Sequence, residues 1–193
     1  MYAASSREAL DGARVELETI LRGAAASSTD AVTVGTELLS VADTVSGDRT
    51  LRITLADSAT APDHRAAFAD KVLQGKVSDV ARNVVSSAAA RTWSSDADLV
   101  EGLRQLGREA LLLAAKAGDK ADAVEDELFR LARVIKADTA LEQALSDRSR
   151  STADRTALLR KLIDGKVDPI TERLAADAVA KPRKPTIMLK TVR

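Results

Sequence analysis

Two stretches of the chain place a glycine and a lysine where phosphate chemistry could use them: KVLQGKVSDV at 71–80 and KLIDGKVDPI at 161–170. A phosphate loop needs G-x-x-x-x-G-K followed by Ser or Thr, ending a strand and opening a helix, so that backbone N–H groups surround the phosphates. Here valine follows the lysine both times, and the upstream glycine position holds Asp70 in one stretch and Arg160 in the other. Nucleotide binding is therefore rejected. His64, the only histidine, lies in a polar turn beside Pro62 and Asp63 with no second ligand at hand, and reads as a solvated turn residue. The chain has no cysteine, which removes thiol nucleophiles, disulfides and cysteine–metal sites. Acid–base chemistry would have to rest on carboxylates such as Glu125, Asp126 and Glu127. Those lie beside Arg130 and Arg133 at the spacing of solvated helix-surface pairs. No catalytic residue, cofactor site or metal site emerges.

The elements that carry these residues follow from composition. Of 193 residues, 45% are hydrophobic, 30% charged and only 2% aromatic. Ala, Leu, Asp and Arg dominate, and strand formers are scarce, so the chain reads as all-α. Twenty-nine basic side chains balance twenty-nine acidic ones, against the basic excess of a nucleic-acid binder. MYAASSREAL is already amphipathic and unlike a signal peptide, and no apolar run approaches a membrane span. The expectation is a soluble, cytoplasmic protein.

The glycine–lysine pair is better explained by repetition. Shifted by ninety residues, 34–77 matches 124–167 at Val34/Val124, Glu37/Glu127, Leu38/Leu128, Ala42/Ala132, Asp48/Asp138, Leu51/Leu141 and Leu55/Leu145. The matches continue at Asp57/Asp147, Arg65/Arg155, Ala67/Ala157, Lys71/Lys161, Gly75/Gly165, Lys76/Lys166 and Val77/Val167. REAL at 7–10 also recurs at 108–111, so an insertion is expected in GAAASSTDAVT at 23–33, a loop by composition. Two tandem helical bundles of about six helices each are expected, at 1–94 and 95–193.

Each copy carries the same plan. A long helix (4–21 or 97–117) precedes a second (34–46 or 121–136), where Val124, Leu128, Leu131 and Ile135 form one stripe. A short helix holding Leu51 and Leu55, or Leu141 and Leu145, follows. The next helix starts near Pro62 in one copy and is capped by Ser151 or Thr152 in the other. Gly75 and Gly165 are predicted to end it in the left-handed conformation, with the last helix over 77–90 or 167–180. Trp93, between the copies, reads as a packing anchor, with a partner surface as the sharper alternative. The tail KPRKPTIMLKTVR (181–193) carries five positive charges and no acid, and could meet an acidic surface or fray.

In copy two, REALLLAAKAGDKADAVEDELFRLARVI, LEQALSD and ADRTALLRKLIDGKVDPITERLA follow in order. Together they resemble helices one to five of the N-terminal bundle in the delta subunit of bacterial F-type ATP synthases. That family includes the mitochondrial oligomycin-sensitivity-conferring protein. MYAASSREAL, the additional copy of the bundle, and Trp93, Ser94, Asp98 and Leu99 at the junction are similar to its actinobacterial branch. The resemblance implies a non-catalytic stator subunit of the peripheral stalk, on the cytoplasmic side of the cell membrane. It would grip alpha-subunit N-termini of the catalytic head and hold the head against rotation during ATP synthesis. By analogy the groove runs between the first and fifth helices of copy two, with Leu106, Ala110 and Leu113 facing Ile170, Leu174 and Ala178; membership of the bundle core is the competing reading for each. The b-type stalk subunit is the other implied partner, through a C-terminal α/β domain that is expected to be absent from this sequence. No nucleic acid and no inserted membrane segment are implied. The alternative is a stand-alone helical adaptor or regulatory protein derived from such a bundle.

Overall fold

A residue stripe at steps of three and four becomes a helix only if its apolar face finds a neighbour. The computed structural model, which describes residues 2–23 and 28–181, provides one for nearly every stripe. Its helices are α1 (Ala4–Gly23), α2 (Ser28–Gly47), α3 (Arg49–Ala56), α4 (Pro62–Leu73), α5 (Asp79–Ala90), α6 (Asp96–Ala117), α7 (Ala121–Ala137), α8 (Thr139–Ser146), α9 (Thr152–Ile163) and α10 (Pro169–Ala180). No strand occurs among the described residues, so the all-α expectation holds. The chain divides into two compact units, Met1–Ala114 and Ala115–Arg193, with the division inside α6.

In the first unit α5 touches α1, α2 and α4, while α3 bridges α2 and α4. Its inward positions are Ala81, Val84, Val85, Ala88 and Ala89, all buried and small enough for neighbouring helices to approach closely. In the second unit α10 lies against α7 and α9, and α8 bridges α7 and α9. Val124, Leu128 and Leu131 are buried on α7 as predicted.

The punctuation is largely as the sequence indicates. Asp48 and Asp138 cap α3 and α8, accepting from Leu51 N at 3.0 Å and Leu141 N at 3.1 Å. Ser151 caps α9 by accepting from Asp154 N at 3.0 Å. Pro62 and Pro169 stand in first turns, where a missing N–H leaves no bond unmade. Gly75 and Gly165 have φ of +72° and +66°, the left-handed values that glycine adopts without a Cβ penalty. Lys166 Nζ donates to Leu162 O at 3.0 Å, closing a carbonyl at the end of α9.

Three expectations need correction. Helix α2 starts at Ser28 and not at 34, because its buried stripe already includes Ala31 ahead of Val34, Leu38, Val41 and Val45. Burial outweighs the loop-like composition there, and residues 24–27 of the expected loop lie outside the described residues. Helices α5 and α10 start two positions later than expected, since Ser78 and Asp168 act as their caps and Val77 and Val167 precede them. Ten helices are present among the described residues, five in each expected copy where about six were expected. The basic tail beyond Lys181 lies outside the described residues.

Candidate partner-binding surfaces

Recurring Glu37 and Glu127 do not pair with arginines on their own helices. Glu37 accepts from Ser78 N at 3.1 Å and Ser78 Oγ at 2.6 Å; Glu127 accepts from Asp168 N at 3.0 Å and from Thr171 Oγ1. Each carboxylate thus ties the second helix of its copy to the free N–H groups opening the last one. This corrects the solvated-pair reading for Glu127. For Asp126 that reading stands, with Arg130 3.8 Å away on an open face. Replacing Glu127 with alanine removes the acceptor for two donors and is expected to lower the second unit's stability by about 1–3 kcal/mol. A urea titration followed by circular dichroism would check it; an unchanged midpoint would contradict it.

Arg65 and Arg155, an identity without an assigned role in the sequence, are both buried. Arg65 Nε donates to Ala89 O at 2.8 Å, and Nη2 reaches Ala90 O and Arg91 O, each at 3.2 Å. Its Nη1 donates to Asp57 O at 3.1 Å and to Thr60 O. One guanidinium therefore closes the end of α5 and the α3–α4 turn together. Arg155 does the same for α10 with fewer bonds, to Val179 O at 3.0 Å and Ala180 O at 3.4 Å.

Two further contacts fix α6 within the first unit. Where α2 and α6 cross, a Cβ on Gly107 would lie 2.9 Å from Leu39 Cγ and 3.1 Å from Gly35 O, so glycine permits the backbones to meet. Arg104 Nη2 pairs with Asp43 Oδ1 at 2.6 Å across the same crossing. Trp93 is buried, and its Nε1 donates to Ala88 O at 2.8 Å. It is a packing anchor and not an exposed partner surface.

The six expected partner residues occupy two helix stripes. Leu106 and Ala110 are fully buried on α6, and Leu113 is half-buried. On α10, Ile170 and Leu174 are buried and Ala178 is half-buried. The α6 trio belongs to the first compact unit and the α10 trio to the second. An incoming segment can reach only what remains exposed, which leaves Leu113 and Ala178 as the accessible members.

Electrostatics sets the acid limit of the fold. Burial alone would raise the Asp168 carboxyl, but the Ile170 N–H and the Lys120 ammonium, 2.9 Å away, outweigh it and hold it below its ordinary value. Arg52 lowers Asp96 through a 2.6 Å bond, and the Thr60 and Ser149 hydroxyls lower Asp57 and Asp147. Depressed folded values mean stabilisation that is complete above the ordinary carboxylate range and lost as pH falls through the folded values. Stability is expected to be flat from pH 7 to about 5 and to fall below about pH 4. Asp168→Asn should flatten part of that acid limb in a pH series of urea titrations. A decline beginning between pH 7 and 5 would contradict this assignment.

Among the described residues no group of three His, Asp or Glu side chains could hold a metal ion, and no helix is long and apolar enough to cross a membrane. The chemistry on offer is packing and capping, with apolar helix faces for recognition. Comparison with known proteins agrees with that character. Residues 108–188 match the family model described as ATP synthase delta (OSCP) subunit. A protein named ATP synthase subunit delta from Corynebacterium urealyticum is 39% identical over 186 residues, covering 96% of this chain and 68% of the relative. Its namesake in Rhodococcus opacus is 45% identical over 183 residues, covering 94% and 66%. The Nocardia farcinica protein of that name is 42% identical over 181 residues, again 94% and 66%. This chain therefore spans about two thirds of the length of the relatives it matches. With that identity across nearly all of its residues, the chain belongs to the ATP synthase delta (OSCP) subunit family, a family of structural and not catalytic subunits.

Proposed function

We propose that the chain is a peripheral-stalk subunit of a proton-translocating F-type ATP synthase, working as a stator by binding alone. The observation that carries the reading is sustained similarity, over 94–96% of the chain, to proteins named ATP synthase subunit delta. On this reading it binds N-terminal segments of alpha subunits of the catalytic head and sits peripherally on the cytoplasmic side of the membrane-bound complex. Recognition is of the helix-in-groove kind, in which an amphipathic segment lays its apolar face against aliphatic side chains. On α6 the accessible contact is Leu113, with Leu106 and Ala110 buried on the same helix; on α10 it is Ala178, with Ile170 and Leu174 buried on the same helix. Resisting torque needs stiffness more than affinity. The buried guanidiniums of Arg65 and Arg155 and the carboxylate ties of Glu37 and Glu127 supply it by locking helix ends.

We also propose that 1–94 and 95–193 are duplicated bundles. Support comes from equal roles at equal spacing: Asp48 and Asp138 as caps, Arg65 and Arg155 as clamps, Gly75 and Gly165 as helix stops. The functional reading is tested by mixing the tagged chain with the purified catalytic head. Retention of the head by the chain, and its loss with Leu113→Glu, is expected. A head that passes through unretained would refute it.

A further inference from the structure

The outer face of α7 differs from the matching face of α2 in one respect. On α2 the positions Gly35, Leu39 and Asp43 lie beneath α6: Leu39 is fully buried against Gly107, and Asp43 holds Arg104. Ninety residues on, Glu125, Phe129 and Arg133 are exposed, and Phe129 keeps 50% of its surface in solvent. Arg133 covers part of the ring, its guanidinium carbon 6.0 Å from the centroid. A half-bare phenylalanine in the middle of a charged face is the kind of anchor that interfaces use.

The charges around it are arranged symmetrically. Asp122 and Glu125 precede Phe129 by seven and four positions; Arg133 and Lys136 follow it by four and seven. At 3.6 residues per turn all four lie within about 40° of Phe129, on one stripe roughly 21 Å long. All are exposed. Such a stripe is complementary to itself turned end for end. We propose that this face of α7 docks a second copy of the chain, antiparallel, with a two-fold axis at Phe129.

In that pairing Phe129 stacks on its counterpart. Glu125 faces the partner's Arg133 and Asp122 faces the partner's Lys136, and each pair occurs twice by symmetry. A parallel arrangement would oppose like charges, so the pattern selects the antiparallel one. Asp126 and Arg130, already paired with each other, stay at the edge. A contact along one helix falls at or below the small end of specific interfaces, about 1,200 Å² in total. The dimer is therefore weak, reversible and sensitive to salt. The proposal concerns α7 alone and holds whether or not the stalk reading does.

Sedimentation velocity across a concentration series tests it. The chain is expected to shift from monomer toward dimer at about 0.1–1 mM in low salt and to lose that shift in high salt. Phe129→Ser should abolish it. Glu125→Arg and Arg133→Glu, all surface changes whose folding circular dichroism can confirm, should each abolish it alone. An equimolar mixture of those two charge variants should restore it, because the new cation on one chain meets the new anion on the other. A monomer throughout the series, association indifferent to both charge variants, or a mixture that stays monomeric would overturn the proposal.

Discussion

Replacing Trp93 with alanine is expected to lower the stability of the first unit by about 3–5 kcal/mol. Three losses combine. The ring leaves a cavity where the packing is close: a Cβ on Gly102 would lie 2.2 Å from its Cη2. The Ala88 carbonyl loses its indole donor near the end of α5. The chain turn between α5 and α6 also loses its buried anchor. Trp93→Phe should recover most of the packing but not the hydrogen bond, and should fall between the wild type and alanine. Trp93 is the only tryptophan, so the comparison needs urea unfolding followed by far-ultraviolet circular dichroism and not by fluorescence. Midpoints for the alanine variant within error of wild type would show that the ring is peripheral to the unit.

The second large effect is expected at Arg65. Methionine there keeps the length and apolar stem of the side chain but leaves five carbonyls without their charged donor, at a cost of about 3–5 kcal/mol. Lysine should not rescue it, since one ammonium cannot span the two ends that a planar guanidinium bridges. Arg155→Met should cost less, about 2–3 kcal/mol, because Arg155 reaches two helix-end carbonyls and its Nε has no partner among the described residues. The ordering is the informative part. The fluorescence of Trp93 reports the first unit for Arg65 variants, and circular dichroism reports both. If Arg155→Met proved the more damaging, the clamp account of these arginines would fail.

The two arginines also mark where sequence reasoning stops. Gly75, Gly165, Pro62, Pro169 and Ser151 were legible because each acts within a few residues of itself, through φ, a missing N–H or a nearby donor. Arg65 and Arg155 were visible as a repeated identity, but nothing local says that a charged side chain is buried. The helix-end carbonyls it closes lie 24 to 26 residues away. Glu127 misled for the same reason: three acids beside two arginines look like surface pairing, and only the fold brings Asp168 N and Thr171 Oγ1 to it. Ala31 extended α2 against its composition because burial of the stripe outweighs the preference of Ser and Thr for turns. The partner residues show the opposite limit. Leu106, Ala110, Ile170 and Leu174 recur at helical spacing whether they serve the core or a groove, and spacing alone does not separate the two.

The repeated G-K-V stretch is resolved by these placements. Each glycine ends a helix, each valine precedes the next cap, and Lys166 closes a carbonyl at the end of its own helix. Nothing there resembles a phosphate cradle. What the repeated positions share is mechanical: they lock helix ends, which suits a component that bears load and does no chemistry.

The most direct test of that role is a calorimetric titration of the chain with a peptide copying the N-terminal segment of an alpha subunit from the same synthase. Saturable binding is predicted, with helix formation in the peptide and a loss of at least about tenfold in affinity, about 1.4 kcal/mol, for Leu113→Glu. No heat of binding at peptide concentrations up to about 1 mM, a limit of about 4 kcal/mol of affinity, would contradict the stator account.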